Sequence, residues 1–354
     1  EVEFVGARKE SYRRDSRKPI VEDGTLEDDQ LRRDFTINAM AFSLQKEDFG
    51  ALVDPFGGIR DLAAGIIRTP LDPDTTYSDD PLRMVRAIRF ATKLSNPEQQ
   101  FTIVPESLES ISRNRERMSI LSKERIVEEL NKILVTPKPS IGFRLLDQTG
   151  LLDYVLPQLA KLKGVETVEG KGHKENFSHT LEVLDNVATL EIEAIAAGAL
   201  KDHVFEDGVE IEKVRTEPNV WLRWAALLHD IASITDVSFT EEHHIIGADI
   251  AEQLLLAECY PTDKIELIKK CILNHRGSRL IDKTLPEEIC IADSDAMAHF
   301  YSIPSLLSMV YREKMLSIDD GSKFVMDKLD RSYNKMSEKG KKLVKFSMNQ
   351  QKTF

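Results

Sequence analysis

The chain of 354 residues is 41% hydrophobic and 31% charged, and its formal net charge at pH 7 is −12. This length accommodates two or three domains, and no apolar run approaches the roughly 20 residues that a helical membrane span requires. The composition therefore excludes a helical membrane protein and predicts a globular one without a membrane partner. Three cysteines without metal or disulfide spacing predict reduced thiols in the cytoplasm: Cys259, Cys271 and Cys290.

The first sixty residues carry weak periodic patterns. Alternating apolar residues predict a strand over residues 1–7, and a polar stretch without apolar period predicts a loop over residues 12–31. A short apolar segment runs from Phe35 to Leu44, and a turn composition follows at Asp54–Gly58. Because the sequence opens inside the strand-like run, we expect it to be an N-terminally truncated portion of a longer protein.

Helical patterns dominate from residue 78 onward. Ser78 is the expected N-cap of a first helix, Ser122 starts a second, and a third runs from Pro139 to Gly150. A linker of glycine, lysine and glutamate occupies residues 164–172, and residues 317–354 are expected to form a last helix. Between them the apolar period predicts six helical segments: 177–191, 219–232, 243–257, 262–275, 286–300 and 303–316.

Three polar motifs follow one another in the first ninety residues. They are Arg32–Asn38 (Arg-Arg-Asp-Phe-Thr-Ile-Asn), Asp54–Gly58 (Asp-Pro-Phe-Gly-Gly) and Asp79–Arg83 (Asp-Asp-Pro-Leu-Arg), the last continued by Arg86 and Arg89. Arginine offers a planar fork of donors, and aspartate offers only acceptors. Such groups beside apolar anchors suit the phosphates, ribose and base edge of a nucleotide. The motifs therefore indicate nucleotide chemistry on RNA.

The motifs, in this order, resemble those of class II CCA-adding tRNA nucleotidyltransferases and bacterial poly(A) polymerases. The resemblance continues through Ser122–Leu130, Gly150–Leu152, His173–Leu181 and His229-Asp230, and it covers roughly residues 1–232. It implies an enzyme that adds CMP and AMP to tRNA 3′ ends from CTP and ATP with Mg²⁺. These motifs do not separate CCA addition from poly(A) addition.

The resemblance also implies a fold that is mainly α. Four parts are expected: the C-terminal remnant of an α/β nucleotidyltransferase head (1–62), a helical neck that binds nucleotide and RNA (63–150), an all-helical HD domain (151–300) and a helical tail (301–354).

The nucleotide site is carried over residue by residue. Asp79, Asp80 and Arg83 would contact the base, and Arg32 or Arg33 would meet triphosphate oxygens. Asp34 and Asn38 would orient the ribose or the arginines, and Arg86 and Arg89 would share a helix face with Arg83. The alternative, from spacing alone, is an ordinary surface salt bridge between Asp80 and Arg83, and an arginine that pairs with Asp34 to shape the loop.

Nucleotidyl transfer needs carboxylates that hold a divalent metal. The family carries them as Asp-x-Asp on a strand before the Arg-Arg-Asp motif, and this sequence has no such pair there. Asp28-Asp29 are adjacent in the expected loop, and Asp72-Pro73-Asp74 lies downstream. We therefore expect the catalytic carboxylates before residue 1 and no transfer by this chain alone.

Ligand-type residues in the second half follow the order of HD-domain metal sites: His179, His229, Asp230, His243 or His244, His275, and Asp293 or Asp295, with Asp293 preferred. Imidazole and carboxylate ligands predict Mn, Fe, Ni or Mg rather than a thiolate zinc site. For any one histidine the alternative is a core residue with a satisfied ring.

Residues 242–300 look more like small stand-alone HD hydrolases, which leaves open a divergent tail or a fusion near residue 233. A metal-dependent phosphohydrolase or phosphodiesterase is therefore the second hypothesis, and a non-catalytic tRNA-binding remnant is the third.

Overall fold

Two compact units divide the chain in a computed structural model that describes residues 4–13, 16–163, 176–206, 209–234, 242–258, 260–275 and 283–351. Unit 1 contains Glu1–Thr136 and Ile141–Pro157, and unit 2 contains Pro137–Ser140 and Gln158–Phe354. The described elements are mainly helical, which confirms the predicted fold class. None of the described helices combines the length and the apolar character needed to cross a membrane.

Unit 1 contains short strands and helices and, from α4 onward, four longer helices. Short 3₁₀ helices cover Thr36–Asn38 and Arg115–Ile120. The strands and helices, in chain order, are β1 (Arg8–Arg13), β2 (Ser16–Asp23), α1 (Leu26–Leu31), β3 (Ala41–Phe42), β4 (Leu52–Val53), α2 (Gly58–Ala64), β5 (Ile66–Ile67), α3 (Pro73–Asp79), α4 (Leu82–Leu94), β6 (Thr102–Ile103), α5 (Pro105–Asn114), α6 (Lys123–Leu134), α7 (Ser140–Gln148) and α8 (Leu152–Val155).

Unit 2 is built from long helices and one hairpin. Its elements are α9 (Pro157–Ala160), α10 (Asn176–Ala196), β7 (Lys201–Glu206), β8 (Val209–Val214), α11 (Val220–Leu228), α12 (His243–Ala257), α13 (Thr262–Asn274), α14 (Pro286–Tyr301), α15 (Ile303–Ser308), α16 (Ile318–Lys335) and α17 (Glu338–Gln351).

The described strands pair two by two. β1–β2, β3–β4 and β7–β8 are antiparallel, with Arg8 opposite Asp23, Ala41 opposite Val53 and Lys201 opposite Val214. β5 and β6 are parallel.

The N-terminal segment differs from the prediction. Residues 4–7, the described part of the strand expected over residues 1–7, form no strand, and β1 begins at Arg8. The loop expected over residues 12–31 contains β2 and α1. A two-stranded ribbon buries neither face fully, so its residues need no apolar alternation. The polar composition that predicted a loop is therefore compatible with a hairpin.

The helix expected from Ser78 is divided in two. α3 ends at Asp79 and α4 begins at Leu82, because a proline disfavours the helical conformation of the residue before it. Asp80 accordingly has an extended backbone, with φ −132° and ψ 101°. Its carboxylate accepts a hydrogen bond of 3.1 Å from the Leu82 N–H, so Asp80 caps α4.

The six helical segments predicted for unit 2 are present, but the unit is not all-helical. The hairpin β7–β8 lies between α10 and α11. The last region forms two helices, α16 and α17, where one was expected. α10 packs against both α11 and α14 and buries side chains along most of its 21 residues. It therefore lies between α11, which precedes His229, and α14, which carries Asp295 and His299.

Candidate functional site

Asp34 is the centre of the polar network in unit 1. Its Oδ1 accepts hydrogen bonds from the Phe35 N–H at 3.0 Å and from Asn38 Nδ2 at 2.9 Å. Its Oδ2 accepts two from Arg86, at 2.8 Å from Nε and 2.6 Å from Nη2. A buried carboxylate with four donors is fully satisfied and rigid. Asp34 thus holds the Thr36–Asn38 turn against α4.

The two arginines of the first motif share one carboxylate. Asp29 binds both Arg32 and Arg33, and hydrogen bonds from the two lower its pKa although burial opposes this. Arg32 also reaches Glu10 at 3.1 Å, and only 13% of its side chain is exposed, against 45% for Arg33. Arg33 is therefore the more accessible arginine of the pair.

Arg83 and Asp79 lie at the same loop. Arg83 Nη2 donates to the Arg32 carbonyl at 2.7 Å, so the first turn of α4 touches the Arg-Arg-Asp motif. Asp79, the last residue of α3, is half-buried, and burial raises its pKa although Arg83 and Arg117 act in the opposite direction. The loop therefore presents one cationic fork beside one carboxyl group.

The prediction that Arg83, Arg86 and Arg89 share a face is wrong. Arg89 is buried and its Nε binds Glu129 Oε2 of α6 at 2.5 Å. Each helical residue turns by about 100°, so residues three apart fall about 60° out of line and Arg89 lies about 120° from Arg83. Arg89 therefore joins α4 to α6, and we remove it from the nucleotide-binding set.

Unit 2 gathers its histidines around one carboxylate, that of Asp230. Its Oδ2 lies 3.8 Å from His179 Nε2 and 3.5 Å from His229 Nε2, and its Oδ1 lies 3.9 Å from His243 Nε2 and 3.6 Å from His275 Nε2. Two groups have ligand atoms within 4.8 Å of one another, and they share Asp230. The arrangement could hold one divalent ion or two.

Helix ends fix the orientation of two of these rings. His229 follows α11 and its Nδ1 bonds to the Ala226 carbonyl at 2.8 Å, and His275 follows α13 and bonds likewise to Ile272 at 2.5 Å. With Nδ1 as the donor, Nε2 is the atom that carries a free lone pair. His229 Nε2 is buried and has no hydrogen-bond partner in the described part of the chain, as expected for an atom that binds a metal.

The late carboxylate of the cluster is Asp295, so the preference for Asp293 is corrected. Asp295 Oδ1 lies 2.9 Å from His179 Nε2. Asp293 accepts hydrogen bonds from the backbone and hydroxyl of Ser337, and burial raises its pKa despite them. Two positions along a helix correspond to a rotation of about 200°, so Asp293 and Asp295 lie on nearly opposite faces and only one of them can face the histidines.

Opposite charges lower the pKa values of both cluster carboxyls. Burial alone would raise them, but His229, His275 and His179 hold the pKa of Asp230 well below its usual range, and His179 and His299 do the same for Asp295. Both groups are therefore ionised acceptors near neutral pH. Two part-buried carboxylates next to imidazole nitrogens form a ligand set that can bind a divalent cation.

One residue of this cluster was not foreseen. The His299 ring stacks on that of His179 with centroids 5.6 Å apart, and its Nδ1 is 3.0 Å from Ser332 Oγ on α16. His299 follows Asp295 by four residues on α14, and that spacing was the signal that could have identified it. His173, Lys174 and Glu175 of the motif quoted earlier lie outside the described residues, as does Cys259.

Three family models match successive parts of the chain. The poly A polymerase head domain matches residues 1–68, the probable RNA and SrmB-binding site of polymerase A matches residues 100–163, and the HD domain matches residues 176–331.

Curated relatives match over about 200 residues. The CCA tRNA nucleotidyltransferase, mitochondrial, of Candida glabrata is 37% identical over 200 residues, 50% of this chain and 36% of its own length. The multifunctional CCA protein of Vibrio cholerae serotype O1 is 36% identical over 205 residues, 57% of this chain and 47% of its own length. The chain thus spans less than half the length of these relatives.

Solved structures show the same fold. The Bacillus stearothermophilus CCA-adding enzyme, solved in complex with CTP, superposes with a TM-score of 0.51 at 20% identity, over 89% of this chain and 62% of its own. Over about 200 residues the chain is therefore similar to CCA-adding tRNA nucleotidyltransferases, and it carries segments that match the poly A polymerase head domain, the RNA and SrmB-binding site of polymerase A and the HD domain.

Proposed function

We propose that this chain selects the nucleotide and binds the tRNA in an enzyme that adds CMP and AMP to tRNA 3′ ends, with CTP, ATP and Mg²⁺ as substrates and cofactor. The observation that supports the proposal is the Asp34 network, which joins Asn38 to Arg86 of α4, together with the hydrogen bond from Arg83 to the Arg32 carbonyl. Relatives named as CCA-adding proteins support the same reaction over poly(A) addition.

Base selection follows from the hydrogen-bonding groups at this loop. Cytosine and adenine each present an amino donor next to a ring-nitrogen acceptor, and uracil and guanine present the reverse order. A carboxylate accepts and a guanidinium donates, so Asp79 or Asp80 with Arg83 complements the first pair and repels the second. Arg33 is left for the triphosphate, and the RNA would be held through its backbone and shape.

Calorimetric titration with the four nucleoside triphosphates tests this role. The chain should bind CTP and ATP more tightly than UTP and GTP. Arg83→Ala should weaken CTP and ATP binding by about 1.5–3 kcal/mol, the range for a hydrogen bond to a charged group. Arg113→Ala is the matched control, because Arg113 is an exposed arginine of the same unit that binds Asp74.

Equal affinity for all four nucleotides, or equal losses in the two variants, would contradict the selecting role and favour a purely structural ion pair. Because no Asp-x-Asp pair precedes Arg32 in this sequence, the chain alone should not incorporate labelled CMP or AMP into a tRNA that lacks its 3′ end, and detectable incorporation would contradict this.

The HD site supports a second function, metal-dependent hydrolysis of a phosphoester. The buried, unpartnered Nε2 of His229 beside Asp230 is the observation that favours it. His179, His229, Asp230, His243, His275 and Asp295 would hold Mn, Fe, Ni or Mg, which when bound supplies an activated water. In the hydrolysis the P–O bond to the leaving alcohol breaks, water supplies the new P–O bond, and its proton passes to the leaving oxygen.

Elemental analysis of protein purified without chelator tests the site. The wild type should carry a divalent metal, and His229→Ala/Asp230→Ala and Asp295→Asn should lose it. Asp293→Asn, the matched control on the same helix, should keep it. Equal metal content in the wild type and the three variants would reject the metal site. A wild type that binds metal but hydrolyses no phosphoester would show that the metal site has a structural role.

Two further assignments stay proposals. We propose the division into head remnant, neck, HD domain and tail near residues 62, 150 and 300. We also propose a cytoplasmic location, which fractionation tests against the mitochondrial location in the name of the Candida glabrata relative.

A further inference from the structure

Lys328 occupies an unusual position on α16. The helix buries Val325, Leu329 and Ser332, and Lys328 falls in the same stripe at the i, i+3, i+4, i+7 spacing of a packed helix face. Its side chain is half-buried. Lysines are seldom buried unless an opposite charge pairs with them. Within the described residues, however, no carboxylate lies within ion-pair distance of Lys328.

The C-terminal end of this stripe lies against the HD cluster, whereas Val325 and Leu329 pack with Leu306 and Val310. α16 packs against α14, and Ser332, one turn after Lys328, bonds to His299 at 3.0 Å. His299 stacks on His179, whose Nε2 contacts Asp295. Burial lowers the pKa of Lys328, and Lys335 and Arg331 act in the same direction, whereas the charges of Asp295 and Asp230, the two acids of the cluster, oppose this.

The charges explain what such a lysine can do. Two carboxylates balance one divalent ion, and neutral imidazoles add no charge. An ammonium beside that balanced group leaves a local excess of positive charge, which attracts an anion. Lysine binds phosphate as a compact point charge with three donors. Arg331 and Lys335 follow on the next two turns of α16, are exposed, and add to the same field.

We propose that Lys328 binds a non-bridging phosphate oxygen of the HD-site substrate, so that this site takes a phosphoester. The inference rests on the proposed hydrolytic function of the HD site and adds a substrate-binding residue from α16, outside the metal-ligand set. It distinguishes a phosphate-binding site from a metal cluster that only stabilises the fold.

Titration of the Mn²⁺-loaded chain with inorganic phosphate tests the proposal. In Lys328→Met the dissociation constant for phosphate should rise about tenfold or more, as for the loss of one charge-assisted hydrogen bond. Lys328→Arg should retain most of the affinity. Lys323→Met, an exposed lysine of the same helix, should match the wild type. Mn²⁺ content should be unchanged in all variants.

Two chromogenic substrates separate the kinds of phosphoester. p-Nitrophenyl phosphate is a monoester and bis(p-nitrophenyl) phosphate is a diester, and Lys328→Met should raise KM for whichever is hydrolysed. Unchanged phosphate affinity in a folded, Mn²⁺-loaded Lys328→Met protein would overturn the proposal. Failure of the wild type to bind Mn²⁺ would instead overturn the metal site on which it rests.

A measurement on the wild type covers the case in which the variant does not fold. Acylation of lysines, followed by peptide mass spectrometry, should show that phosphate with Mn²⁺ slows the labelling of Lys328 and leaves Lys323 unaffected. Equal labelling rates of Lys328 with and without phosphate would overturn the role of this residue.

Discussion

Arg83 and Arg89 lie two turns apart on α4 and have different partners. Arg89 and Glu129 form a buried pair, so Arg89→Met leaves a buried carboxylate with only the exposed Lys132 beside it. We expect a loss of about 3–5 kcal/mol in unfolding free energy, with nucleotide selectivity retained. Arg83→Met should show the reverse: a small stability change and weaker CTP binding.

Urea denaturation and calorimetry measure both effects. In Arg89→Met/Glu129→Leu, which removes the two charges together, much of the lost stability should return. If Arg89→Met reduced CTP affinity at unchanged stability, Arg89 would belong to the nucleotide site after all.

Replacing Asp79 with asparagine should stabilise the protein, and the size of this gain should depend on pH. Burial raises its pKa in the folded state, so the charged form costs stability above that pKa, and the cost fades as the pH falls through it toward the unfolded value. Asp79→Asn should therefore melt at a higher temperature than the wild type at about pH 7, with a smaller difference at about pH 5. CTP affinity should fall in the same variant.

Asp74 on the same helix is the matched control. Hydrogen bonds from Ser110 and Arg113 lower its pKa, so Asp74→Asn should reduce stability near neutral pH. Equal melting temperatures for Asp79→Asn and the wild type at both pH values would show that the carboxylate is not strained in the fold.

At this scale the sequence identified residue types better than their neighbours in space. The sequence could single out Arg33, Asp34, Asn38, Arg83 and Asp230 as candidates because their motifs are local. The choice between Asp293 and Asp295 could not be made from the sequence, because it depends on whether α17 or α10 packs against each face of α14. The position of Lys328 depends on packing between helices in the same way.

Among the elements, the contact between α2 and the Thr36–Asn38 turn is the closest near the nucleotide loop. Gly58 begins α2, and a Cβ there would overlap the Thr36 carbonyl. Gly58→Ala should cost about 1–3 kcal/mol, as overpacking does, and should shift Asn38 from Asp34. Gly247 on α12 is the contrast, since a Cβ there meets its nearest atom at 3.5 Å.

Gly247→Ala should therefore stabilise the protein by up to about 1 kcal/mol, because alanine favours a helix interior. Thermal unfolding with far-ultraviolet circular dichroism compares the two variants. A stable Gly58→Ala protein with unchanged CTP binding would show that α2 can shift without disturbing the loop.

Element positions were predicted well where periodicity was long and poorly where one residue decides the backbone. The helices α12, α13 and α14 follow an apolar period of many residues, and the predicted ranges match them closely. The division between α3 and α4 depends on Pro81 alone. The hairpin β7–β8 was not predicted. Val209–Val214 contains alternating apolar residues, but this short pattern lies between two longer helical patterns.

For the whole molecule, the division into two compact units predicts a separate response of each unit to its ligand. A ligand that binds only the folded form stabilises it by RT ln(1 + [L]/Kd), about 2.7 kcal/mol at one hundred times Kd. Differential scanning calorimetry should therefore show two transitions, with Mn²⁺ raising that of unit 2 and CTP raising that of unit 1. His229→Ala/Asp230→Ala should abolish the first shift alone. One transition raised equally by either ligand would show that the units unfold together.

Ser337 and its helix α17 have a practical consequence for making this protein. The HD family match ends at residue 331, and a domain boundary chosen from it would remove Ser337, Gly340 and Val344. These residues hold Asp293, approach α14 closely and complete a buried apolar cluster with Leu190, Ala296 and Met297. A recombinant HD domain should therefore extend through α17, and an affinity tag is better placed before the unit than fused directly to this helix.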